Sequence, residues 1–167
     1  SLSNLGALTT AGTDLITVSV NDANNANRDA TDLSALGGKT GGTVTVSNAI
    51  NISGTTSEVK AALVDTATKV VAASATVSIS DNPSIANLNL IAAEAGVVTA
   101  TLAADSLSNL GSLTTSSTDV ITVSVNDGSG AAIDASDLSA LGGKTAGTVT
   151  VSNDIAISGT TSEVKAA

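Results

Sequence analysis

The sequence predicts an α/β solenoid, in which short parallel strands stack into one sheet and short helices cover its inner face. Ser1–Ala62 recurs as Ser106–Ala167 with 13 of 62 positions changed, so a 105-residue unit is repeated in tandem. Inside the unit, a short apolar motif recurs four times at somewhat irregular spacings. Each motif is followed by a segment in which apolar residues alternate with Thr or Ser. Internal periods of this kind are typical of solenoids and other repeat architectures.

The predicted organisation is one full repeat at residues 1–105 and a partial second repeat at residues 106–167. Four coils begin near residues 2, 33, 59 and 85, and the second repeat restarts near residue 107. Because both ends fall inside a repeat, we expect the chain to be a window from a longer array.

Each coil opens with a helical turn or helix. The two longest helices are predicted at Thr56–Ala73 and Ser84–Ala95, and Pro83 precedes the second. Val59, Leu63 and Val70 lie on one helical stripe, and Thr55 and Glu58 have the spacing of a capping box.

One strand then follows in each coil, at residues 16–20, 43–47, 75–79 and 98–102, and residues 50–53 are a candidate continuation or second pairing segment of the strand at 43–47. Period-two alternation predicts that the apolar residues face inward: Val18, Val20, Val44, Val46, Val77, Ile79, Val98 and Leu102. The residues predicted to face water are Thr17, Ser19, Thr43, Thr45, Thr76, Ser78, Thr99 and Thr101. The spacings allow right-handed crossovers between parallel strands, with the sheet on one face and the helices on the other.

A string of Ig-like β-sandwich repeats is the alternative architecture, because about 100 residues is the size of one such domain. The helical stretches and the absence of aromatic core residues argue against it.

Composition removes most catalytic chemistry. The chain has no His, Cys, Met or aromatic residue, so it lacks an imidazole base, a thiolate and the usual ligands of zinc or haem. The net charge of −9 disfavours nucleic acid, and no apolar run is long enough to span a membrane. The sequence therefore predicts that the protein is not an enzyme and has no cofactor.

Calcium is the one alternative cofactor. Two corresponding polar loops carry the oxygen side chains that calcium prefers. The candidate ligands are Asp22, Asn24, Asp29 and Asp32 in the first loop, and Asp127, Ser129, Asp134 and Asp137 in the second. The second half of the later loop resembles the calcium loop of dockerin-type modules at Ile133, Asp134 and Asp137. The favoured interpretation is instead a polar turn in which Asp32 and Asp137 cap the following helix.

The repeats also resemble a family. Ile52–Leu63 and Gly96–Leu102 resemble segments of very large bacterial repeat proteins of the cell surface, which are rich in Ala, Thr, Val and Asp. The resemblance implies a secreted, surface-attached array that acts as an adhesin, stalk, fibre or outer layer.

The sequence thus favours a structural repeat of an extracellular fibre, stalk or surface layer. Its partners would be other copies of the repeat, in one long array or a homopolymeric filament. The alternative is an adhesion module that binds a glycan, a surface or ice through the exposed Thr/Ser strand face. A regular file of hydroxyls would resemble ice-binding solenoids, although Thr and Ser are also the ordinary residues of a solvated sheet.

Overall fold

The computed structural model describes all 167 residues as an α/β fold of parallel strands and short helices. Its contacts divide the chain into two compact units, residues 1–81 with 90–99 and residues 82–89 with 100–167. The division therefore does not coincide with the sequence repeat, which restarts at residue 106.

Nine elements lie wholly in the first unit: α1 Leu2–Leu5, β1 Val18–Val20, β2 Asn27–Asp29, α2 Ala30–Gly37, β3 Val44–Val46, β4 Asn51–Gly54, α3 Thr56–Leu63, β5 Val70–Val71 and β6 Thr76–Ile79. Two elements contribute residues to both units: α4 Ile85–Ala92 and β7 Val97–Thr101. The second unit contains α5 Leu107–Leu110, β8 Val120–Val125, β9 Ala132–Asp134, α6 Ala135–Gly142, β10 Val149–Val151, β11 Ala156–Ser158 and α7 Thr161–Ala166.

The first unit has two parallel sheets. One has the order β1-β3-β5, and the other contains β2, β4, β6 and the start of β7. In the first sheet Val44 pairs with Val18 on one side and with Val70 on the other, and the two partners are equally far from it along the chain. The parallel pairing rules out the Ig-like alternative, whose sheets are antiparallel.

The prediction of a single sheet is wrong. Most coils contribute two strands, because the chain turns a corner after β3 before it enters β4. Asn48 holds this corner, since its Nδ2 donates to the Asp22 carbonyl oxygen at 2.5 Å and to Asn21 Oδ1 at 3.0 Å. As a result β3 pairs with β5, and the predicted strand at residues 75–79 belongs to the other sheet.

The second unit repeats the pairing of equivalent strands, but β8 and β10 lie in the sheet that contains the end of β7, whereas their counterparts β1 and β3 form the other sheet with β5. Val149 of β10 pairs with Val123 of β8, and Ile157 of β11 pairs with Ile133 of β9. On the other side of β8, the Leu102 amide donates to the Thr122 carbonyl oxygen at 3.0 Å.

Alternation within the strands is confirmed. All eight apolar side chains predicted to face inward are buried, from Val18 to Leu102. The Thr and Ser residues between them are exposed, except Thr45, which is half-buried.

The two long helices are shorter than predicted. Helix α3 ends at Leu63, and Val70 lies in β5 rather than on the apolar stripe of a helix. Thr68 follows the helix end and turns the chain back, since its Oγ1 donates to the Ala61 carbonyl oxygen at 2.6 Å. Helix α4 covers Ile85–Ala92. The capping box of Thr55 and Glu58 is confirmed.

The close approach of the segment after α3 to α2 depends on Gly37 at the end of α2. A Cβ atom there would lie 2.0 Å from the Thr68 carbonyl oxygen, so the main chain at Thr68 rests directly on this residue. Gly142 is its counterpart in α6, and a Cβ atom there would meet nothing within 4 Å.

We expect Gly37→Ala to lower the free energy of unfolding by about 1–3 kcal/mol, because the added methyl group must displace a backbone segment. Gly142→Ala is the matched control, with the same local sequence and an open position. It should cost nothing or stabilise the helix slightly, since alanine is the better helix former. Urea unfolding of both variants provides the measurement, and equal effects at the two positions would contradict the close contact.

Candidate functional site

The first predicted calcium loop is held together by Asp22, which follows β1. The carboxylate is 3% exposed. Its Oδ2 accepts a hydrogen bond from the Leu2 amide at 2.9 Å, and its Oδ1 pairs with Arg28 Nη2 at 2.5 Å. Both oxygens therefore bind groups of the chain itself and link the start of α1 to the loop.

This contact fixes the charge of Asp22. The hydrogen bond from Arg28 lowers the pKa of the carboxyl group, and the Leu2 amide lowers it further, against the opposing effect of burial. The same pair raises the pKa of Arg28. The ion pair is therefore fully charged at neutral pH.

The other candidates of the first loop have different neighbours. Asn24 Oδ1 accepts from the Ala49 amide at 3.2 Å, and Asp29 Oδ1 accepts from Ser53 Oγ at 3.4 Å. Asp32 lies in the first turn of α2 and is exposed.

In the second loop, Asp127 Oδ2 accepts from the Leu107 amide at 2.8 Å. Ile133 stands where the first copy has Arg28, so this aspartate has no corresponding arginine. Asp134 Oδ1 accepts from Ser158 Oγ at 3.0 Å, Asp137 lies in the first turn of α6, and Ser129 is exposed. Neither loop brings together three acidic side chains that could share a metal ion.

The predicted caps are one turn too late. The N-cap residues of α2 and α6 are Asp29 and Asp134, whereas Asp32 and Asp137 lie inside the first turn. The error arises because β2 and β9 run directly into their helices, so each helix begins before the apolar motif. Acidic side chains in a first turn still stabilise the helix through its dipole.

A groove of about 320 Å³ lies beside this loop and includes Leu2, Ser3, Arg28, Asp32 and Lys39 in its lining. Lys39 Nζ donates to the carbonyl oxygens of Gly6 at 2.5 Å and Leu8 at 2.9 Å, at the end of α1. The lysine therefore links the end of α2 to the segment that follows α1.

The second copy has the same groove, with a volume of about 520 Å³. Lys144 Nζ donates to the carbonyl oxygens of Gly111 and Leu113, which correspond to Gly6 and Leu8. The same lysine contact is therefore present in both copies of the repeat.

Thr40 is a second residue that links these segments, and its role was not predicted from the sequence. Its buried Oγ1 donates toward the carbonyl oxygens of Asp14 and Ile16, and it accepts from the amides of Ile16 and Gly42, all at 2.7–2.9 Å. Thr145 makes the equivalent contacts at 2.7–3.0 Å. The sequence carried one indication of this role. Residues 32–40 recur unchanged as residues 137–145, although the residues on either side of this segment differ between the copies.

The predicted Thr/Ser face is divided between the two sheets. Ser19 is in register with Thr45, but the next residue in that file is Val71. Ser78 is in register with Ser53 and Thr99 in the other sheet. The two continuous hydroxyl files expected on one flat sheet are therefore not formed.

Comparisons with protein-family models, with curated proteins and with solved structures found no match for this chain. None of the helices combines the length and the apolar character needed to cross a membrane.

Asp22→Asn should lower the free energy of unfolding by about 1–3 kcal/mol at neutral pH, because it removes a charged hydrogen bond with Arg28 while keeping an acceptor for Leu2. The folded-state pKa of Asp22 lies below its unfolded value. Its contribution is therefore present above about pH 4 and is lost as the pH falls through the folded-state pKa.

Urea unfolding over a pH series tests this prediction, and the difference between the wild-type protein and Asp22→Asn should shrink in acid. Asp127→Asn is the matched control and should have a smaller effect at neutral pH, because Asp127 has no arginine partner. A difference for Asp22→Asn that stays constant with pH would show that the ion pair does not stabilise the fold.

Proposed function

We propose that the chain is a segment of a right-handed α/β solenoid that serves as a structural repeat in an extracellular fibre, stalk or surface layer. The observation that carries the proposal is the repetition of the same coil-to-coil contacts in two nearly identical copies. A design of this kind lets an array lengthen without a new core, because each coil interacts mainly with its neighbours.

The strand registers support a solenoid. Val18, Val44 and Val70 are register partners in β1-β3-β5 and are evenly spaced along the chain. In β2-β4-β6 the partners of Ile52 are Arg28 and Val77, at nearly equal separations. Partners at nearly constant separations are expected when each turn of the chain stacks on the previous turn.

The polar contacts support a structural role. Lys39 and Thr40 each bind backbone groups of the preceding coil, and Lys144 and Thr145 repeat those contacts. Asp22 and Asp127 instead each bind the helix start of their own coil. Of the predicted calcium ligands, Asn24, Asp29 and Asp134 accept hydrogen bonds from the next coil.

The surface location is proposed from the acidic, cysteine-free composition and from the resemblance to large bacterial surface proteins. The proposed partners are other copies of the repeat in the same array. Adhesion through a Thr/Ser face has less support, because the hydroxyl files are divided between two sheets.

Small-angle scattering from the chain and from chains lengthened by one, two and three 105-residue repeats tests the architecture. Four coils at a strand spacing of about 4.8 Å predict that the longest dimension grows by a constant ~19 Å per repeat. A dimension that grows much more slowly, as in compact globules, would contradict the proposal. Protease treatment of intact producing cells tests the location, and protection of the repeats would contradict exposure at the surface.

A further inference from the structure

An apolar face is exposed on the second copy where the first copy has a buried one. Ile157 is 48% exposed and Val164 is 47% exposed, whereas their counterparts Ile52 and Val59 are 1% and 0% exposed. The contrast does not come from local sequence, because residues 157–167 are identical to residues 52–62. It comes from what is stacked on them.

In the first copy the covering segment is residues 63–81. Ile52 pairs in register with Val77, and Val44 pairs with Val70. The covering segment also places the Thr68 carbonyl oxygen against Gly37.

Two polar contacts complete that interface. Thr68 Oγ1 donates to the Ala61 carbonyl oxygen at 2.6 Å. Asp81 Oδ1 accepts from both the amide and the hydroxyl of Thr56, at 2.7 and 2.6 Å. Thr56 is buried, whereas its counterpart Thr161 is exposed.

The second copy presents the same receiving surface without a cover. An apolar groove of about 220 Å³ lies there, and Leu138, Gly142, Val149, Val151, Ile157 and Val164 contribute to its lining. Nothing lies within 4 Å of a Cβ atom built on Gly142.

We propose that this face, formed by α6, β10, β11 and α7, is an interaction surface for a coil with the sequence of residues 63–81. The occupant places a valine beside Val149 and another beside Ile157, a main-chain carbonyl on Gly142, and an aspartate on Thr161. The inference rests on the proposed function, since it takes the coil as the unit of assembly. It adds which coil binds this face, and it identifies Gly142 as the residue that leaves room for the main chain of that coil.

A second copy bound through its first coil is a poorer occupant. In that coil Asp22 stands where the covering segment has Asp81, and its carboxylate already accepts from the Leu2 amide and pairs with Arg28. The covering segment in the structure has Asp81 bound to Thr56 instead.

A single cysteine can report whether the surface is covered, because the chain has none of its own. Val164→Cys should react quickly with a thiol reagent, and Val59→Cys should react slowly in an identical local sequence. Appending the sequence of residues 63–105 after Ala167 should slow the reaction of Val164→Cys at least tenfold. A labelling rate of Val164→Cys that is unchanged by the appended segment, whether slow or fast, would overturn the proposal.

Gly142→Ala should restore fast labelling in the lengthened chain, because its methyl group blocks the approaching carbonyl. Gly128→Ala is the control and should leave labelling slow, since that position is open and the first copy has Ala23 there. In the appended segment, asparagine in place of the aspartate that corresponds to Asp81 gives a second test and should partly restore labelling. Unchanged slow labelling in both test variants would overturn the proposed contacts.

Labelling of the original chain over a range of protein concentrations tests the other occupant. Protection that appears only at high concentration would show that a second copy covers the surface and would overturn the proposal. Failure of the labelling test is distinct from failure of the proposed function, because scattering can still show linear growth when a different coil binds this face.

Discussion

Burial of the apolar side chains of one strand–helix segment by the next segment is the interaction on which the proposed solenoid depends. The apolar side chains are only those of Ala, Val, Leu and Ile. Because they are small, no single coil can enclose a core of its own. Ile52 is fully covered when β6 stacks on β4, and its twin Ile157 is half exposed without that layer. Burying one such side chain contributes about 1.5–3 kcal/mol, so a ladder of them outweighs the scattered surface ion pairs.

Polar side chains also pair between register partners of neighbouring strands, and the residues that differ between the two copies preserve the same backbone arrangement. Asn51 Nδ2 donates to Asn27 Oδ1 at 3.0 Å across β4 and β2, and these two register partners are replaced together by Ala156 and Ala132. Asn25 has a φ of 61°, and its replacement Gly130 has a φ of 79°. Both residue types tolerate the left-handed conformation, so the turn is kept although its sequence changes.

The period-two pattern identified the buried strand residues because alternation depends only on neighbours in the sequence. The number of sheets could not be found in this way, since the corner at Asn48 depends on Asp22 and Asn21 of the preceding coil. The end of α3 was missed for a related reason: Thr68 reverses the chain through a contact with Ala61. Each acidic loop contains a short strand and the start of a helix, β2 and α2 in the first and β9 and α6 in the second. The partners of Asp22 lie 20 residues away at Leu2 and six residues away at Arg28. Spacing alone does not show which backbone amide will face a carboxylate.

Hydrogen exchange within the unmodified chain tests the account most directly. Residues 52–62 and 157–167 have the same sequence, so their intrinsic exchange chemistry is closely matched and differences in protection report their surroundings. If stacking supplies the stability, the amides of α3 and β4 should be protected at least tenfold more than those of α7 and β11. Equal protection of the two segments would contradict the dependence of each coil on its neighbour.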